Sequence, residues 1–251
     1  MNLEKLFSRR GNFESYQMFS ASHIVLVAIC LALVLLTLYI SRKTREEKVL
    51  KTVRICVILL WLLQFSKMSF NYFIEHSRIL SHYMPFYFCS IPLFSGLLSS
   101  LPKGKLKRYG DVFMLVGGFA GAVGYFLLPS TTAGKYPAFH FITLQSFLHH
   151  AIMLYIALLF IKSKYVELKI KDLPSYAITV MLMSVIAYYT NSILGSNLMF
   201  VSKNKPGTAI ELVYNMSQEW FPFNITFLQA VPPFIIVYLI QKGINMLKES
   251  S

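Results

Sequence analysis

Long apolar segments alternate with short polar loops along the chain, and several segments are long enough to cross a lipid bilayer. A membrane-spanning helix needs roughly 20 mostly apolar residues. The pattern predicts an all-α, polytopic membrane protein, a bundle of seven transmembrane helices that forms one integral membrane domain over residues 1–251. The predicted spans cover approximately residues 19–40, 55–75, 84–101, 110–129, 139–161, 173–195 and 222–240.

Composition and charge agree with this architecture and add an orientation. The chain is 55% hydrophobic and only 14% charged, with a net charge of +13. Its basic residues are concentrated in three short loops, at residues 41–54, 102–109 and 162–172. Basic loops stay on the cytoplasmic side of a membrane, which predicts an N-terminus outside and a C-terminus inside. Nucleic-acid binding is not expected, because the charges do not form one basic face with interleaved aromatic residues.

The second predicted span carries a polar stripe that apolar helices rarely tolerate. Gln64, Lys67, Asn71 and Glu75 recur at spacings of three and four, which places them on one helix face. Polar groups inside a membrane are energetically costly and commonly mark a functional site. Lys67 could form a structural ion pair with Glu75, or it could bind an anion such as a phosphate headgroup.

Other predicted spans bring polar groups to a similar depth in the outer half of the membrane. They are Cys89 in the third span, Gln145, His149 and His150 in the fifth, and Asn191 and Asn197 at the end of the sixth. Gln145 and His149 share a face because they are four residues apart. The tandem histidines cannot both point to one place, so one is expected to serve a cavity while the other packs.

A cysteine and a histidine in one cavity are the parts of a thiol nucleophile with its general base, the machinery of acyl transfer. Metal binding is the competing use of these residue types, but no compact ligand motif supports it. No metal and no cofactor is therefore expected. Cys30, Cys56 and Cys89 all lie in apolar segments, an odd number without paired spacing, which argues against a disulfide framework.

Two runs of sequence carry a family resemblance. The run from Pro85 through Tyr87 and Cys89 to Ser90 resembles the proline-to-cysteine motif of the YwaF-like bacterial integral membrane proteins. The run of residues 191–200, followed by Lys205-Pro206, resembles the second signature of that family.

That family is similar to a eukaryotic multi-span enzyme that acylates ether phospholipids through a cysteine. The resemblance implies acyl-enzyme chemistry in a bacterial plasma membrane, with Cys89 as nucleophile and the His149-His150 pair offering the base. This chain has Tyr87 where the family pattern usually has histidine. Tyr87 can donate a hydrogen bond but cannot act as a base near pH 7.

Two functional hypotheses follow. The favoured one is a membrane acyltransferase that acts on phospholipid or lipoprotein acyl chains, with membrane lipids as its partners. Lys67 would then bind a headgroup phosphate and Asn191 would donate to the oxyanion. The other residues expected around the substrate are Gln64, Asn71, Glu75, Tyr87, Gln145 and Asn197. The alternative is a non-enzymatic carrier or receptor for a solute or lipid that uses the same cavity.

A retinal protein is excluded, because residues 222–240 contain no lysine for a Schiff base. The sequence does not predict the oligomeric state.

Overall fold

The computed structural model describes residues 3–41 and 46–249, and over those ranges it contains helices and turns without a β-strand. Ten α-helices follow in chain order. They are α1 (Leu3–Leu6), α2 (Ala21–Ile40), α3 (Glu46–Phe73), α4 (Ile91–Ser99), α5 (Lys105–Leu127), α6 (Phe141–Ser163), α7 (Leu173–Leu194), α8 (Ala209–Met216), α9 (Phe221–Ala230) and α10 (Pro232–Glu249). The all-helical prediction is confirmed.

Among the described residues, six helical segments are long and apolar enough to cross a membrane, which makes the chain a multi-pass membrane protein. Five are α2, α3, α5, α6 and α7, and α9 with α10 provides the sixth. The third predicted span is not among them, since residues Phe88–Ser99 form an apolar helix of about 18 Å at 1.5 Å per residue. A bilayer core is about 30 Å thick, so this helix reaches little more than halfway.

The proline pair in the last predicted span divides it into two helices. Proline removes a backbone donor and is tolerated mainly in the first turn of a helix. Accordingly, α9 ends at Ala230 and α10 begins at Pro232. The first basic loop is shorter than predicted, because α3 already begins at Glu46 and includes the basic residues up to Arg54. Residues 42–45 of that loop lie outside the described ranges.

Helices α5 and α6 form the centre of the bundle. In their most apolar windows 67% and 72% of positions are buried, against 22–33% in the other candidate spans. Those outer helices expose large apolar side chains, as expected for surfaces that face lipid. Side chains in the protein interior are therefore positioned mainly by α5 and α6.

Helix α5 packs against α4 through Gly110. A Cβ atom at this position would lie 2.3 Å from the backbone nitrogen of Ser99 and 2.5 Å from the backbone oxygen of Ser95. Only glycine permits so close a contact between backbones. At the other end of α5, a Cβ atom on Gly124 would meet no atom within 4 Å.

The end of the bundle formed by α4, the start of α5 and residues 163–172 is called here the paired end, because its two buried carboxylates have cationic partners. Lys107 Nζ lies 2.9 Å from Asp111 Oδ1 and donates to the backbone oxygen of Ser99 at 2.9 Å. Arg108 donates to both carboxylate oxygens of Asp172. These contacts give the buried carboxylates of Asp111 and Asp172 the counter-charges that burial demands.

The opposite end is covered by residues 3–20, called here the N-terminal strap. His140 Nε2 donates to the backbone oxygen of Ser8 at 2.9 Å, while Tyr16 exchanges backbone hydrogen bonds with Gly134 and Tyr136. The Tyr16 hydroxyl also bonds to Thr132 Oγ1 at 2.7 Å. The strap is thus fastened to the turn between α5 and α6, next to the cavity described below.

Candidate functional site

A polar cavity of about 170 Å³ lies under the strap, between α3, α6 and the start of the short Phe88–Ser99 helix. It brings together most of the residues predicted from the sequence. Those that line it are Gln64, Lys67, Asn71, Tyr87, Cys89, Gln145, His149 and His150. The expectation that different helices contribute to one polar cavity therefore agrees with the geometry.

Cys89 lies where irregular chain becomes helix. Residues 83–87 contain Pro85 and are not helical, Phe88–Ser90 form one 3-10 turn, and α4 continues from Ile91. The thiol is consequently at the top of a short helix and remains partly accessible from the cavity. In contrast, Cys30 and Cys56 are buried in the apolar core.

His149 is held against the same segment. Its Nε2 lies 3.1 Å from the backbone oxygen of Cys89, and a carbonyl oxygen can only accept. Nε2 must therefore carry the proton, which leaves a lone pair on Nδ1 of the neutral ring. Nδ1 is buried and has no hydrogen-bond partner among the described residues. The histidine is thus fixed in orientation while its basic nitrogen remains unused.

His150 has a different environment. Its Nδ1 lies 2.6 Å from the backbone oxygen of Ser146, and its ring stacks on Tyr125 with centroids 3.8 Å apart. The expectation that only one of the tandem histidines serves the cavity is wrong, because both line it. The His150 ring is anchored by aromatic packing in addition to its hydrogen bond. Within the described ranges, no group of three His, Cys, Asp or Glu side chains is arranged to hold a metal ion.

Lys67 is a cation without a carboxylate partner. It lines the cavity and interacts electrostatically with the Cys89 thiol. Within the described part of the chain, no Asp or Glu lies at ion-pair distance from it. Three members of the predicted α3 stripe, Gln64, Lys67 and Asn71, face the cavity together.

The predicted position of Glu75 is corrected by the structure. The second span was expected to extend to residue 75, but α3 ends at Phe73 and the chain turns at His76, where φ is +49°. Glu75 therefore leaves the register of the polar face. Its Oε1 accepts from the backbone nitrogen of Arg10 at 2.9 Å and from the Tyr136 hydroxyl at 3.2 Å, so it secures the strap.

Asn191 and Asn197 also lie elsewhere, because neither is among the residues that line the cavity. Asn191 Nδ2 donates to the Leu198 backbone oxygen and to Ser202, and Asn197 Oδ1 accepts from the backbone of Ser202. Both amides fix the loop that follows α7. The expected oxyanion role of Asn191 has no support in this geometry.

Several cavity residues were not identified from the sequence. Arg10, His82, Lys135, Tyr136 and Ser90 all line it. Most lie in loops, where no periodic pattern distinguishes a cavity residue from a solvated one. Arg10 did carry a signal, since a basic residue on the side predicted to be outside contradicts the charge rule and invites a functional explanation.

Comparison with known proteins places the chain in a family without providing a characterised relative. The model of the TMEM164 family matches residues 18–240. This match covers five of the six candidate membrane spans in full, the sixth as far as residue 240, and most of the cavity, but not Arg10. No curated protein and no solved structure shows significant similarity to the chain.

Proposed function

We propose that this chain, which belongs to the TMEM164 family, is a membrane acyltransferase in which Cys89 carries the acyl group as a thioester. One observation carries the proposal. Cys89 and His149 line the same cavity, and the imidazole has an unused lone pair on Nδ1. A cysteine nucleophile is activated by a nearby general base, and His149 is the residue of this cavity whose unused lone pair suits that role.

The reaction has two halves. In the first, His149 Nδ1 takes the proton of the Cys89 thiol, and the sulfur attacks the ester carbonyl of a phospholipid acyl chain. The C–O bond breaks, and the lysophospholipid leaves with the proton returned by His149. In the second, a hydroxyl of the acceptor gives its proton to His149 and attacks the thioester. The C–S bond breaks, the new ester forms, and Cys89 recovers its proton.

Other cavity residues supply the electrostatic support that such steps require. The positive charge of Lys67 favours the thiolate and the developing oxyanion. The side chains of Gln64 and Tyr87 line the cavity without a protein hydrogen-bond partner among the described residues, so either can donate to the oxyanion. When His149 becomes protonated, its bond to the Cys89 carbonyl stabilises the imidazolium.

Intact-mass measurement of purified protein incubated with a phospholipid of one acyl length tests the proposal. We expect a mass increase of one acyl chain that hydroxylamine removes. Cys89→Ala should abolish it, while Cys56→Ala, which removes a buried thiol outside the cavity, should retain it. His149→Gln should slow transfer by roughly 10²- to 10⁴-fold, the usual contribution of a general base. Unchanged acyl transfer by Cys89→Ala would refute the enzyme and favour a carrier or receptor.

We also propose that Phe88–Ser99 is a seventh, partial span, that the cavity opens to the outside, and that the membrane is a bacterial plasma membrane. The basic residues of the paired end support this orientation. Cysteines introduced one at a time into a Cys89→Ser background, which retains only the buried Cys30 and Cys56, test it through labelling by a membrane-impermeant maleimide on intact cells. Thr131→Cys, beside the cavity, should be labelled and Lys103→Cys should not; the reverse pattern would invert the topology.

A further inference from the structure

Three cations from different parts of the chain converge on the cavity. Arg10 comes from the strap, Lys67 from α3 and Lys135 from the turn before α6. Lys205, which lies over the Phe200 ring at 4.8 Å, is close enough to Lys135 to repel it. Within the described residues, no Asp or Glu lines this cavity.

None of the three cations forms an ion pair within the described part of the chain. The ion pairs found among the described residues, Lys107–Asp111 and Arg108–Asp172, are both at the paired end. Glu75 is the nearby carboxylate, and its Oε1 is already bonded to the Arg10 backbone nitrogen and the Tyr136 hydroxyl. Burial, followed by repulsion from Arg10, Lys205 and Lys67, lowers the pKa of Lys135.

A second, independent feature indicates a missing ligand. His149 lines the polar cavity and is only 5% exposed, and its buried Nδ1 has no hydrogen-bond partner among the described residues. Buried polar atoms are normally satisfied by protein, ordered water or ligand. The cavity volume of about 170 Å³ is well above the share of one water molecule, roughly 30 Å³. The space therefore accommodates a polar group larger than water.

We propose that this cation cluster binds the phosphate of a lipid and selects headgroups with a net negative charge over zwitterionic ones. The phosphate neutralises the repulsion among Arg10, Lys67 and Lys135 through charge-assisted hydrogen bonds. The ammonium of a choline or ethanolamine headgroup meets further cations and no carboxylate among the residues that line the cavity, so it is repelled. The proposal rests on the proposed function, since it specifies the lipid that this acyl-transfer site accepts.

Thermal unfolding in detergent tests the selection. Cys89→Ser protein, which cannot form the thioester, is mixed with micelles that contain equal mole fractions of phosphatidylglycerol or phosphatidylcholine, or with inorganic phosphate. We expect phosphatidylglycerol to raise the unfolding midpoint at concentrations at which phosphatidylcholine does not. Equal shifts from the two lipids would overturn the selection. An equal shift from inorganic phosphate would identify a free anion rather than a headgroup and would also overturn it.

Charge variants locate the subsite. In the same background, Lys67→Gln and Lys135→Gln should each weaken the apparent affinity for phosphatidylglycerol roughly tenfold, the effect of one lost charge-assisted contact. Lys135→Arg should retain the affinity. Lys103→Gln, an exposed change at the other end, is the matched control. Equal affinities in Lys135→Gln and Lys103→Gln would refute the cluster.

Two further measurements, the lipid-free unfolding midpoint and thioester formation, separate a folding defect from a failure of either proposal. If a charge variant does not fold, as judged by its lipid-free unfolding midpoint, Arg10→Gln replaces it, because Arg10 is exposed and tolerates substitution. Selective phosphatidylglycerol binding without any thioester in the unmodified protein would refute the acyltransferase and leave the anion subsite standing. A thioester without headgroup selectivity would refute the anion subsite and leave the acyltransferase standing.

Discussion

The two ends of the helix bundle treat charge in opposite ways. At the paired end, Lys107 and Arg108 each contact a buried carboxylate and a backbone oxygen. At the cavity end, Lys67 is partly buried, as Lys107 and Arg108 are, but it has no ion-pair partner among the described residues. Paired charges satisfy burial, whereas an unpaired cation in a cavity leaves its electrostatic energy available to a ligand.

The same contrast holds along α5, which connects the two ends. Gly110 is in backbone contact with α4 at the paired end, while a Cβ atom on the exposed Gly124, near the other end of α5, would meet no atom within 4 Å. One end is therefore specified by close packing and by complete ion pairs, and the other keeps space and unsatisfied charge. Function that requires a substrate to enter is expected at the looser end.

Loss of a paired charge should have the largest effect. Asp111→Asn leaves the buried Lys107 ammonium without its counter-charge, and we expect a decrease of about 3 kcal/mol in the free energy of unfolding. Reversible unfolding in mixed detergent micelles measures it. Glu167→Gln, an exposed acid at the same end, is the control and should change little. Similar changes in the free energy of unfolding for both variants would show that the Lys107–Asp111 ion pair does not stabilise this end.

Alanine substitutions at the two glycines should act in opposite directions. Gly110→Ala places a Cβ atom against the α4 backbone and should destabilise the protein by about 2 kcal/mol. Gly124→Ala enters open space and should stabilise α5 by about 0.5 kcal/mol, because alanine loses less backbone entropy. The same unfolding assay compares them. Destabilisation by both would show that α5 is tightly packed along its whole length.

Removal of the unpaired cation should cost no stability. Lys67→Met takes away a charge without an ion-pair partner, so we expect the free energy of unfolding to stay constant or to rise by about 1 kcal/mol. Acyl transfer should decrease in the same variant. Destabilisation comparable to that of Asp111→Asn would instead identify Lys67 as a structural charge. The charges at both ends of the bundle would then stabilise the fold.

The smallest expected effect is a pH dependence at the strap. Burial lowers the pKa of His140 below its usual 6.5, and its Nδ1 accepts from the Ile142 backbone nitrogen in the neutral form. The unfolded chain binds the proton first, so stability should be constant above pH 7 and decrease as pH falls below 6.5. His140→Asn keeps an acceptor that does not titrate and should reduce the slope. His82, whose pKa burial also lowers, accounts for part of what remains. If the free energy of unfolding changes equally with pH in the variant, His140 is not the source of the pH dependence.

Periodicity allowed much of this molecule to be predicted. Long apolar runs predicted the membrane helices, and spacings of three and four correctly placed Gln64, Lys67 and Asn71 on one face. Glu75 was misplaced because periodicity continues in a sequence after the helix has ended. The strap could not be predicted, since its contacts join residues more than 60 positions apart, such as Arg10 with Glu75. Such contacts depend on tertiary packing, and local patterns do not encode them.

The shortness of the Phe88–Ser99 helix has a consequence for the fate of the proposed thioester. The non-helical chain before it exposes backbone groups that hydrocarbon cannot satisfy, so at membrane depth this segment must face protein or water. Where the segment faces water, water can reach Cys89 and compete with the lipid hydroxyl for the acyl group. Slow deacylation without an acceptor, a phospholipase-like leak, is therefore expected of this architecture. Its rate would report how well a bound acceptor excludes solvent.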